Sequence, residues 1–341
     1  MNIKLIPVTD AIGMVLSHDI TEIVPGRFKG AAFKRGHIVK EADISRLKDL
    51  GKENIAVLKI GAGWVHEDDA ARRLAAAASG NGITLSQPSE GKVDLIAATD
   101  GLLKINVDIL EAVNAFDNII LASLHTNRPV SSGRTVAGTR IIPLTIEDSI
   151  LGQVEALCMS GGPVVSIQPL FQKKIGVVTT GSEVYHQRIE DKFGPVVEKK
   201  IKSLGSSLLR QIYVSDDVEM TIRAINDLVT EGAEIIMITG GMSVDPDDCT
   251  PSSIRATGAE VITYGAPVLP GAMFMLAYLK GIPVIGLPGC VMYHEASIFD
   301  LVVPRILAGE KLSRRDFVSF GHGGLCARCD TCRFPECGFG V

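Results

Sequence analysis

The chain has 341 residues, a net charge of −5, 46% apolar residues and 21% charged ones. That apolar share supports large cores and excludes a disordered chain, and the length sets an expectation of two or three compact units. The negative balance gives no broad attraction to nucleic acid or to an anionic membrane, so the expected partner is a small molecule.

The opening Met1-Asn2-Ile3-Lys4-Leu5-Ile6-Pro7 lacks the apolar core of a signal peptide. No stretch approaches the ~18 apolar residues of a membrane span, so the expectation is a cytoplasmic protein without membrane partners. Extended runs fall around Met14 to Val24, Ile38-Val39 and Asn54 to Ile60, with one short helix near Leu47 and Leu50. Val65 to Ser79 reads as helical and ends at Gly80-Asn81-Gly82. Strand-like Val93 to Ala98 and Ile119 to Ala122 enclose a helix near Val107 to Val113, and another helix reaches about Met159. This half is a mixed α+β region over residues 1–165.

Small residues and prolines from Ser160-Gly161-Gly162-Pro163 to Gln172 mark a boundary. Beyond it the rhythm is clearer. The apolar β-rich runs 174 to 179, 234 to 239 and 282 to 287 alternate with helical patterns. Val197, Ile201 and Leu204 write one helix, stopped by Gly205; Val218, Ile222, Ile225 and Val229 write another, with Asp216 or Asp217 as its cap. Thr250-Pro251 opens a third, and a last runs through Ala296, Phe299, Val303 and Ile306. Strands alternating with such helices imply βαβ crossovers, so residues 171–312 are expected to form a three-layer, doubly wound parallel α/β sheet.

Each of the three strands ends in small residues: Thr180-Gly181-Ser182-Glu183, Thr239-Gly240-Gly241-Met242-Ser243 and Leu287-Pro288-Gly289-Cys290. In an open parallel sheet ligands sit beyond the carboxyl ends of the strands, so these loops should share one rim. Glycine there lets main-chain N–H groups approach an anion, and phosphate is the natural guest. The competing reading is that glycines simply terminate strands. Asp245, Asp247, Asp248 and Glu183 would repel a phosphate unless Mg²⁺ lies between, although Asp247 and Asp248 can equally serve the turn before Thr250.

These loops, with Asp248, Thr250-Pro251 and Pro270-Gly271, resemble the molybdenum-cofactor biosynthesis domain shared by molybdopterin adenylyltransferases and molybdopterin molybdenumtransferases; the likeness covers residues 174 to 310. The resemblance implies that Thr180, Gly181, Ser182, Thr239, Gly240, Gly241, Met242, Ser243, Pro270, Gly271, Pro288 and Gly289 bind molybdopterin or its adenylylated form. Asp248, Asp245 and Glu183 would then act in catalysis with Mg²⁺. Gly240-Gly241-Met242-Ser243-Val244 is closer to the molybdenumtransferase, which cleaves the adenylate while placing molybdate on the dithiolene. Ser182, however, stands where that enzyme has an acid, which leaves a non-catalytic carrier or sensor open, as well as the adenylyltransferase. A homo-oligomer, dimer or trimer, is also expected of such a protein.

Arg27, Lys29, Lys34, Arg35 and His37 form a basic cluster that is either a solvated face or a receiver of molybdate or a pterin phosphate. Gly61-Ala62-Gly63-Trp64-Val65-His66 lacks the residues of a dinucleotide motif and is set aside. The seven cysteines are odd in number, and four of them, Cys326, Cys329, Cys332 and Cys337, sit in a tail over 321–341 as C-x2-C-x2-C-x4-C. That crowding argues for reduced thiols with a metal, a [4Fe–4S] cluster or zinc, and leaves free or redox-active thiols as the alternative. Gly321-His322-Gly323-Gly324 reads as a flexible linker to this module.

Overall fold

The computed structural model describes residues 3–24, 28–243 and 248–341. The chain divides into two compact units. The first holds residues 1–99, 103–126 and 131–167; the second holds 168–341 with the short segments 100–102 and 127–130.

In the first unit, Ile3–Pro7, Asn54–Leu58 and Val15–Leu16 form an antiparallel sheet over a core that includes Val8, Leu16, Ile20, Leu47, Ile55 and Val57. A four-stranded antiparallel sheet runs in the order Ile119–Ser123, Thr135–Ile141, Lys92–Ala97, Ile83–Leu85. The helices Glu67–Ala78 and Asp148–Gly161 are joined by Arg73, whose guanidinium binds both Glu155 oxygens at 2.7 and 2.9 Å. The unit is therefore mixed α+β.

The second unit is built on one six-stranded sheet. Its strands are β1 (Lys174–Thr180), β2 (Ser207–Val214), β3 (Ile235–Thr239), β4 (Glu260–Tyr264), β5 (Met275–Leu279) and β6 (Ile282–Leu287), in the order β2-β1-β3-β6-β5-β4. The first four in that order are parallel, while β5 runs antiparallel to both β6 and β4. The doubly wound parallel sheet expected from the sequence is present, with β5 running antiparallel near one edge. The cause is local: Lys280 (φ 52°) and Gly281 (φ 86°) make a two-residue hairpin that pairs Leu279 with Ile282.

Helices cover both faces, as the period-2 alternation of buried strands demands. On one face Ile175, Val177, Ile235, Met237 and Ile285 pack with α1 (Phe193–Ser203) and α4 (Ile298–Leu307). On the other, Val178, Ile236, Ile238 and Val284 meet α2 (Val218–Thr230) and α3 (Thr250–Ala256). Asp217 caps α2 by accepting the Met220 N–H at 2.7 Å. Gly176 lets α2 sit close to the sheet, since a Cβ there would come within 2.9 Å of Leu228.

Below the sheet, Arg305 of α4 is buried between two carboxylates, with Nε 2.9 Å from Glu310 Oε2 and Nη2 2.6 Å from Asp316 Oδ1. Burial alone would raise the Asp316 pKa, but the Ser313 N–H and the Arg305 guanidinium outweigh it and hold the carboxyl below its ordinary value. Asp316→Asn is expected to cost about 1.5–3 kcal/mol at pH 7, because a charged hydrogen bond to a buried cation is lost. A group whose folded pKa is depressed contributes stability above its unfolded pKa and loses it as pH falls. The gap to wild type should therefore close below about pH 4, which urea unfolding at neutral and acid pH measures.

The C-terminal segment is no module on a flexible linker. Leu269 N–H donates to Gly324 O at 2.8 Å, Cys326 N–H to Leu269 O at 2.8 Å, and Gly340 N–H to Gly323 O at 2.9 Å. Phe339 is 3% exposed and belongs to the same core as α4. Glycine-rich sequence reads as a linker, but these main-chain bonds tie the segment down.

Candidate functional site

The parallel register lines up the carboxyl ends of the strands: Thr180 lies opposite Val214, Thr179 opposite Thr239, and Thr239 opposite Leu287. The loops at 180–183, 239–243 and 287–289 therefore share one rim. Pro270-Gly271 joins them, because β5 begins at Met275 opposite Gly286 near the end of β6, and Pro270 O accepts the Ile298 N–H at 3.2 Å.

The rim is built by threonines. Thr180 Oγ1 donates to Thr239 O at 3.2 Å and Thr250 Oγ1 to Gly240 O at 2.9 Å, while Thr239 Oγ1 donates to Thr179 Oγ1 at 3.2 Å. Thr180 and Thr239 are thus buried scaffold, and their hydroxyls serve the chain itself. Met242 packs in the core with its sulfur against Gly286, so its side chain turns away from solvent. The first loop also spends its amides internally: Gly181 N–H reaches Val214 O at 3.2 Å, and Ser182 N–H reaches Asp216 Oδ2 at 2.8 Å. What faces outward is Ser243 and Gly289, both exposed, with Gly240, Gly241, Ser182 and Cys290 half-buried beside them. Pro288 is buried next to Gly289, and Gly271 is buried against Ile298.

The carboxylates are distributed unevenly. Glu183 is exposed and folds back over Gly181, and Asp248 is half-buried just before α3. Asp245 and Asp247 lie outside the described residues. Asp216 was missed as a rim acid in the sequence, because the edge strand β2 has too weak an apolar pattern to announce the loop after it. Among the described residues no three His, Cys, Asp or Glu side chains are gathered to hold a metal ion. The oxygen donors suit Mg²⁺, which needs only one or two carboxylates beside a substrate phosphate. Burial pushes the Cys249 and Cys290 thiols up, so both stay protonated at neutral pH and are poor nucleophiles.

Two members of the basic cluster have carboxylate partners. Lys34 pairs with Glu90, and His37 Nε2 lies 2.6 Å from Asp43 Oδ2; Arg27 is outside the described residues. The seven cysteines are unpaired, and the four in the tail do not converge on a single metal position. No helix among the described residues is long and apolar enough to cross a membrane.

Fold and rim together define a doubly wound α/β domain whose glycine loops gather on one sheet edge. Residues 176–308 match the family described as "Probable molybdopterin binding domain", and residues 5–59 match a domain of unknown function. The second unit is thus similar to the molybdopterin-binding domains of molybdenum-cofactor biosynthesis proteins. The molybdenum cofactor biosynthesis bifunctional protein of Synechococcus elongatus is 23% identical over 168 residues, 49% of this chain and 51% of that protein. The molybdopterin molybdenumtransferase of Staphylococcus aureus is 26% identical over 145 residues, 40% of this chain and 34% of that protein. The chain therefore spans about half the length of the first and a third of the second. The solved tungsten cofactor synthesizing protein MoaB from Pyrococcus furiosus aligns with 20% identity and a TM-score of 0.34, over 42% of this chain and 98% of that one.

Proposed function

We propose that the rim of the second unit binds adenylylated molybdopterin and that the chain acts in molybdate insertion, with release of AMP. The observation that carries this reading is the convergence of all three glycine loops and Pro270-Gly271 on one sheet edge inside the matched domain. Because the first-loop amides are occupied, the phosphate falls to the second and third loops, at Gly240, Gly241, Ser243 and Gly289. Thr180, Gly181, Thr239 and Met242 shape the rim from beneath, and Ser182 orders the first loop against the Asp216 carboxylate.

Asp248, with Asp245 and Glu183 as further acids, would hold Mg²⁺, which would supply positive charge to offset that of the phosphoanhydride. Molybdate is a co-substrate in this reading. The tail cysteines are the second part of it, as a metal centre on the same unit. One observation favours a carrier instead: the residue in the acid position, Ser182, has its hydroxyl bound to Ser215 Oγ at 2.8 Å.

Gly289 offers a clean test, since it is helical (φ −53°) and a Cβ there would meet open space. Gly289→Ala should leave the melting temperature unchanged while weakening adenylylated-molybdopterin binding about tenfold, or 1.4 kcal/mol. Incubation with that ligand, Mg²⁺ and molybdate separates the two readings: AMP release supports the enzyme, and binding without AMP release supports the carrier. Absence of binding by the wild-type chain would remove both.

A further inference from the structure

Beside the third glycine loop the second unit holds a cavity of about 490 Å³. Its wall includes Tyr293 and His294, at the end of the short helix that follows Gly289, and all four tail cysteines. Cys329 and Cys332 are exposed at its mouth, whereas Cys326 and Cys337 are half-buried and pack against the core of α4. A water-sized body takes about 30 Å³ of liquid, so this space is many times what one ion requires. A single tetrahedral zinc also needs its sulfurs within about 2.3 Å of one point, and the cysteines stand around the wall instead. A cubane cluster carries each thiolate on a separate iron and so accepts a wider ring of ligands.

A buried cation stands behind this wall. Arg128 is 5% exposed, donates from Nη2 to Cys337 O at 2.6 Å and lies over the Phe334 ring at 5.4 Å. Its Nη1 is buried without a hydrogen-bond partner. A buried cation with an unanswered donor is costly unless an anionic acceptor stands nearby. Four thiolates and bridging sulfides around two ferrous and two ferric irons carry a net charge of −2, which would attract the Arg128 charge across the Cys337 main chain.

We propose that the tail cavity holds a [4Fe–4S] cluster ligated by Cys326, Cys329, Cys332 and Cys337, with Arg128 as the positive neighbour that tunes its potential. This rests on the metal-centre part of the function above, and it puts a one-electron centre directly after the Pro288-Gly289 loop. Reduction adds one electron to the cluster and moves no proton. Arg128 is a positioning residue here, since it acts through the cluster's charge.

The test uses the full chain, treated anaerobically with ferrous and ferric iron in equal amounts and sulfide, and then assayed for bound metal and for the electron paramagnetic resonance signal after dithionite supplies the electron. About four irons and four sulfides per chain support the proposal. Cys329→Ser and Cys332→Ser, both at exposed positions, should lose most of the iron while keeping the wild-type melting temperature of the metal-free chain. Arg128→Met should lower the reduction potential, and Arg128→Lys should bring it back toward wild type. One zinc per chain with no iron would overturn the cluster while leaving a metal centre standing; no metal of either kind would overturn both. An unchanged potential in Arg128→Met would overturn the assignment of the cluster to this cavity.

Discussion

Gly240→Ala is expected to lower the unfolding free energy by about 2–5 kcal/mol. The residue has φ +89°, where an L side chain costs roughly 1–2 kcal/mol. A Cβ would also lie 2.3 Å from Thr180 O and 2.7 Å from Thr180 Oγ1. Main-chain oxygen cannot step aside as the end of a flexible side chain can, so relief requires β1 and β3 to part, at about 1–3 kcal/mol of overpacking. The Thr180 to Thr239 bond lies in the path of that movement. Urea unfolding monitored by far-ultraviolet circular dichroism measures the loss. An effect under about 0.5 kcal/mol, the range of an ordinary surface change, would mean that the second loop is not held against the first as described.

Phe339→Ala should have an effect of similar size, about 3–5 kcal/mol, through the cavity it leaves in the core shared with α4. The substitution lies two residues from the C-terminus, where a loose tail would show almost no response. Val318→Ala is the control, being 59% exposed and so expected within about 0.5 kcal/mol of wild type. If Phe339→Ala behaves like the control, the tail is not part of the second unit's core.

Much of the second unit was legible because its signals are local. Buried parallel strands are continuous apolar runs, and β1, β3 and β6 were readable as such; Asp217, Thr250-Pro251 and the helical spacing of Val218, Ile222 and Ile225 marked the helices. Other elements spoke less clearly. The edge strand β2 mixes Arg210, Gln211 and Tyr213 with its apolar residues, and only Val214 is fully buried, so its pattern is diluted. The Lys280-Gly281 turn lacks the Asn or Asp that usually advertises a hairpin, so the antiparallel edge went unseen.

The residues of the candidate site were visible as glycine loops, yet their individual roles were not. Whether Thr180 or Met242 faces a ligand or the interior depends on what the neighbouring strand places behind it. The same limit applies to the tail, where the C-x2-C-x2-C-x4-C spacing names possible ligands but not the space between them. Sequence by itself determined the strand-and-helix alternation, the three glycine turns and the clustered thiols, because propensity and spacing act over a few residues. Only the tertiary structure decided that the turns share one rim, that the first turn has already used its amides, and that Arg128 lies behind Cys337. Such contacts join residues far apart in the chain and are selected by packing, which no local pattern encodes.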